Sequence, residues 1–112
     1  MRRGRFIIAE DWWQRKVTQD AETALVRSKG KVEVVYSSYL TFTEGTSYKF
    51  HMFLIFSYRS EKDGSREFLG LNAYGPIEKR MTFFEIARGK NLANVLSAVN
   101  DKERQKRAKG YN

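Results

Sequence analysis

Apolar side chains recur at alternate positions over residues 48–58. Tyr48, Phe50, Met52, Leu54, Phe56 and Tyr58 share one face of an extended chain, and Lys49, His51, Phe53, Ile55, Ser57 and Arg59 share the other. The alternation predicts a central strand, continuously buried on its first face and only partly covered on its second. Residues 32–43 alternate in the same way, with Val32, Val34, Tyr36, Ser38, Leu40 and Phe42 on the more apolar side. If the connection around Glu44 holds an odd number of residues, Phe42 faces Tyr48, Leu40 faces Phe50 and Tyr36 faces Leu54, so the apolar sets meet on one side.

A second hairpin is signalled by Asp63-Gly64, a preferred pair for a two-residue type I′ turn. Such a turn pairs Lys62 with Ser65 and sets Tyr58 opposite Leu69, Phe56 opposite Leu71 and Leu54 opposite Ala73 on the core side. On the other side it sets Glu61 opposite Arg66, Arg59 opposite Phe68 and Phe53 opposite Tyr74. Gly75-Pro76 ends this third strand, because proline cannot donate to a ladder. Residues 81–87 fit two readings: Thr82 to Glu85 has the form of a capping box, while Phe83-Phe84-Glu85-Ile86 reads as a fourth strand. Gly89, which would interrupt a helix, favours the strand.

Helical spacing brackets these strands. Arg5-Phe6-Ile7-Ile8-Ala9 reads as a short first strand, after which Trp13, Val17, Ala21, Ala24 and Leu25 form a stripe from Asp11 to a left-handed cap at Gly30. Near the other end, Leu92, Val95, Leu96 and Val99 make an amphipathic helix whose continuation beyond Asp101 is wholly polar. The predicted fold is α+β: a single domain with an antiparallel three- to four-stranded meander, an N-terminal helix and a C-terminal amphipathic helix. Its body spans residues 1–101 with a short basic N-terminal arm, and residues 102–112 form a basic extension. Four antiparallel strands followed by a helix resemble the element order of Whirly-type and single-strand-binding coactivator folds over residues 31–107, a likeness of order that brings no motif and no site residue with it.

At 112 residues, 41% of them hydrophobic, the chain has material for one core and not two. No apolar run approaches the roughly 18 residues of a membrane span, so no membrane contact is expected. The absence of cysteine removes disulfide and thiolate chemistry and fits a cytoplasmic location. Charge changes the picture most. The net charge of +8 resides at the two ends, +3 over residues 1–5 and +5 over residues 88–112, while the body between is neutral. Cationic ends on a neutral body suit an anionic partner.

Candidate chemistry follows the same division. His51 is the only histidine, so no multi-histidine metal site can be built, and no glycine-rich phosphate loop is present. The carboxylate pairs Glu10-Asp11 and Glu61/Asp63 are explained as a helix start and a turn, which leaves a metal-dependent nuclease as a minor alternative to a non-enzymatic protein with no metal and no cofactor. Tyr39, Lys49, His51, Phe53, Arg59, Phe68 and Tyr74 are expected together on the second sheet face, where either rings stack on bases and cations meet phosphates, or the second helix covers the face and makes Val35 and Ile55 part of a second core layer. Arg2, Arg3, Arg5, Lys102, Arg104, Lys106, Arg107 and Lys109 would add charge from the ends. The expected function is therefore binding of single-stranded DNA or RNA. The alternative is a small protein-binding inhibitor or adaptor of a nucleic-acid-processing enzyme, with the aromatic face as a protein interface. An exposed edge strand would further permit a homodimer.

Overall fold

The computed structural model describes residues 2–44, 47–76 and 82–108; for residues 2–13, 41–44, 47–50 and 76 it describes the backbone alone. Six elements follow one another: α1 (Arg2–Leu25), β1 (Ser28–Glu44), β2 (Ser47–Ser60), β3 (Arg66–Pro76), β4 (Thr82–Gly89) and α2 (Leu92–Ala108). The strands form one antiparallel sheet in the order β1-β2-β3-β4. This is the α+β meander that the alternation predicts, and residues 82–89 form its fourth strand.

The N-terminal segment differs from expectation. Residues 5–9 belong to α1, not to a strand. Ile7 and Ile8 favour extended chain locally, but a five-residue strand needs a neighbour to supply its hydrogen bonds, whereas a helix supplies its own and is propagated by the flanking Arg, Ala and Glu. The helix stops at Leu25, and Gly30, with φ 80°, lies inside β1 where the ladder slips between Lys29 and Glu33. It serves a strand irregularity instead of a helix cap.

Both hairpin registers also depart from the simplest turn chemistry. Glu44 pairs with Ser47, an even connection, so Leu40 faces His51 and Tyr36 faces Ile55. One residue of parity turns every side chain over, and Tyr36 and Leu40 therefore lie with Phe53 and Ile55. A bulge at Val35 reverses the parity again, leaving Val34 opposite Phe56 on the other face. At the second hairpin Ser60 N–H donates to the Ser65 carbonyl (2.8 Å), enclosing four residues instead of two. Phe56 then faces Leu69, Leu54 faces Leu71 and Met52 faces Ala73. The slip is even, so each side chain keeps its predicted face while losing its predicted partner. The longer loop is stabilised by Asp63, whose Oδ1 accepts from Ser65 Oγ (2.7 Å) and Ser65 N (3.0 Å), and by Gly64 at φ 72°. Those two bonds, with Lys90 Nζ at 3.2 Å, hold the Asp63 carboxyl well below the ordinary carboxylate range.

The sheet is covered on both sides. Met52, Leu54, Phe56, Tyr58, Leu69, Leu71 and Ala73 are buried under Val17 and Ala21 of α1 and under Val26. On the opposite face Leu40, Phe53 and Ile55 are buried under Val95 and Val99 of α2. The partly covered second face expected from β2 is thus a second core, with Phe53 and Ile55 both at 0% exposure. Gly70 permits it, because a Cβ there would lie 2.6 Å from Val99 Cγ2 and 3.0 Å from Val95 Cγ1. A larger residue would lift the helix off the sheet and forfeit about 1.5–3 kcal/mol for each large side chain it uncovers.

Polar anchors complete the docking of α2. The Tyr36 hydroxyl donates to Glu103 Oε1 at 2.7 Å, and Arg107 donates to Glu103 Oε2 at 3.1 Å. Glu103 is only 8% exposed, so this carboxylate sits where an unpaired charge would be costly and is satisfied on both oxygens. Burial, with the bond to Glu103 acting in the same direction, raises the Tyr36 hydroxyl above its usual pKa. α2 runs without interruption through the predicted boundary at residue 101.

Candidate functional site

Coverage by α2 redistributes the expected stacking face. Phe53 lies in the core, and Phe68 is half-buried at its margin opposite Ser57. Tyr39, moved by the β1 register, pairs with Met52 and shares the α1 face, away from His51. Arg59 is exposed at the far end of β2, opposite Arg66 and not Phe68. His51 and Tyr74 are brought together as cross-strand partners, while Phe53 faces Asn72. Lys102, Arg104 and Arg107 are exposed on α2 and Lys106 is half-buried there. Arg104 is paired with Asp101, and Arg107 with Glu103. The side chains of Arg2, Arg3, Arg5 and Lys49, the Glu10-Asp11 pair and the whole of Lys109 lie outside the described residues.

Among the described residues a groove of about 770 Å³ lies open on this face between the polar half of α2 and the ends of β2, β3 and β4. Its floor is polar and ordered. Asn72 Nδ2 donates to the carbonyls of Met52 (3.3 Å) and Ala73 (3.2 Å), which identifies Oδ1 as the acceptor facing His51 Nδ1 at 3.2 Å. His51 therefore carries its proton on Nδ1. Its ring lies 4.5 Å from that of Tyr74, tilted by 31°. Burial, reinforced by the nearby Lys106 charge and opposed by the Asn72 bond, lowers the His51 pKa to about 4. The imidazole is neutral at ordinary pH and acts as a hydrogen-bonding, apolar surface.

The walls combine an aromatic and cations. Phe84 of β4 is 51% exposed, and Lys102 and Lys106 line the opposite wall. Two carboxylates also line the groove, but each is engaged by an arginine: Glu85 by Arg88 Nη2 at 3.0 Å, and Asp101 by Arg104. Sequence reasoning missed Phe84, Asn72 and Gln105 as lining residues. For Phe84 a signal existed, since the Phe83-Phe84 pair on a strand must send its rings to opposite faces. Phe83 packs on the α1 core and Phe84 is left at the groove.

A second polar cluster occupies the α1 side of the sheet. The Tyr58 hydroxyl donates to Glu67 Oε1 (2.8 Å) and accepts from Arg88 Nη1 (3.0 Å). Burial together with the Glu67 bond pushes Tyr58 up to about 12. All its partners are satisfied within the protein, which marks it as a structural bridge among β2, β3 and β4. Among the described residues no three His, Asp or Glu side chains converge to hold a metal ion, and no helix is long and apolar enough to cross a membrane. No protein-family model, curated protein or solved structure matches this chain.

Proposed function

We propose that the protein binds single-stranded nucleic acid, and does so at the α2 groove in place of an open sheet face. The observation that carries this reading is the exposed Phe84 ring facing Lys102 and Lys106 across the groove, with Tyr74 and neutral His51 beneath. A base stacks on Phe84 and finds a donor and an acceptor at Gln105, while the lysines meet the adjoining phosphates. Duplex recognition is disfavoured because a paired base cannot turn its face to a ring in a narrow groove.

The test is a titration with single-stranded and duplex oligonucleotides, read by intrinsic fluorescence at two salt concentrations. Phe84→Ala should weaken single-strand binding by about 1–3 kcal/mol while leaving the salt dependence intact. Lys102→Gln with Lys106→Gln should reduce the slope of log K against log salt by about 1.4, at roughly 0.7 per lost phosphate contact. Unchanged affinity in both variants would remove the groove from the interface. An aromatic protein interface, the rival reading, predicts little response to salt.

A further inference from the structure

A second cationic feature lies on the same face at the opposite end of β2. Lys29, Arg59 and Arg66 are consecutive cross-strand partners on β1, β2 and β3, Lys29 opposite Arg59 and Arg59 opposite Arg66. All three are exposed. Direct cross-strand pairs of like charge destabilise a sheet, and here two such pairs are stacked in one row. The guanidinium groups donate to neutral acceptors: Arg59 Nη1 to the Gly64 carbonyl (3.2 Å), and Arg66 Nη1 to Ser57 Oγ (2.7 Å). Each bond orients an arginine without discharging it. Three acids near the row are engaged elsewhere: Glu33 lies toward Lys31 at 3.8 Å, Asp63 toward Lys90 at 3.2 Å, and Glu67 accepts from the Tyr58 hydroxyl at 2.8 Å.

We infer that the row Lys29–Arg59–Arg66 is a second phosphodiester-binding site, engaged by the same strand that occupies the groove. This rests on the proposed binding of single-stranded nucleic acid. His51 and Arg59 stand eight positions apart along β2, a span of roughly 26 Å at about 3.3 Å per residue. One mononucleotide cannot bridge that distance, so the row discriminates by strand length. Two oriented forks beside a lysine match the anionic oxygens of a phosphate backbone, which supplies the charge that the row itself lacks.

The deciding experiment compares Arg59→Gln with Arg66→Gln, made together, against wild type. Oligothymidylates of about four and about sixteen nucleotides serve as probes, the two ends of the range occupied by single-strand-binding modules. Because both side chains are exposed and repel one another, the double variant should keep its thermal midpoint. Its log K–log salt slope for the long strand should be shallower by about 1.4, with the short strand unaffected. An unchanged long-strand slope, in a protein whose groove lysines still contribute theirs, would overturn the row and leave the groove reading standing. Equal loss for both strands would overturn the row as a distant second contact. Binding of neither strand by wild type would overturn the row together with the groove reading.

Discussion

His51 shows how one residue is decided by its surroundings. On an open sheet it would titrate near 6.5 and offer a switchable cation; burial at 3% exposure, with Lys106 nearby, lowers it to about 4 against the opposing bond to Asn72. The folded protein therefore binds fewer protons than the unfolded chain between about pH 4 and pH 6.5. The stabilisation due to neutral His51 is complete above 6.5 and is lost as pH falls toward 4. Between pH 7 and pH 4.5 wild type should lose about 2–3 kcal/mol more stability than His51→Gln, measured by denaturant titration at each pH. Parallel loss in the two proteins would show that His51 is protonated equally in both states. That His51 stands on the face opposite Leu54 was legible from alternation; its burial was not, because burial depends on α2, some forty residues later in the chain.

β2 and β3 keep their internal periodicity and exchange their partners, while the bulge at Val35 breaks the period of β1. Along β2 the two faces separate as alternation demands, yet both are core: Leu54 under α1, Ile55 under α2. A one-sided sheet predicts that truncating Leu54 costs far more than truncating Ile55. With both side chains at 0% exposure, Leu54→Ala and Ile55→Ala should each cost about 2–5 kcal/mol in equilibrium unfolding. A value for Ile55→Ala below about 1 kcal/mol would mean that α2 does not seal that face. The Asp63-Gly64 hairpin is instructive in a different way. Its residues do form the turn, but Asp63 spends its side chain on Ser65 and the loop widens to four residues. The favoured two-residue geometry loses to a side-chain cap, and each predicted cross-strand partner shifts by two.

For the whole molecule, two helices clasp a single sheet, and α2 has two jobs along its length. Its first half seals the second core through Val95 and Val99; its second half anchors to Tyr36 through Glu103 and forms a wall of the groove. A chain ending at Asp101 should consequently lose stability as well as charge. Removing residues 102–112 deletes Glu103 and leaves the Tyr36 hydroxyl without its carboxylate, a loss of about 1–3 kcal/mol that should appear as a lower denaturation midpoint. A basic extension without a packing role would leave the midpoint unchanged. Asp101 and Glu103, acidic residues in an otherwise basic segment, hint at this role in the sequence: Glu103 lies on the stripe of Val95 and Val99, continued by one turn.

By itself the sequence determined the three-stranded meander of β1, β2 and β3, the alternation of side chains along β2 and β3, the apolar stripe of α2 and the concentration of charge at the ends, and it favoured strand over helix for residues 81–87. These follow from backbone periods that hold within an element whatever lies around it. Tertiary structure alone decided that Tyr36 and Leu40 join Phe53 and Ile55, that Tyr39 leaves them, and that Phe84 is exposed while Phe53 is buried. A single residue in the β1–β2 connection and one bulge at Val35 invert the first strand, and the docking of a remote helix onto Gly70 closes the second face. Such choices compare whole arrangements of the chain through packing at contact distance, and no local period carries that comparison.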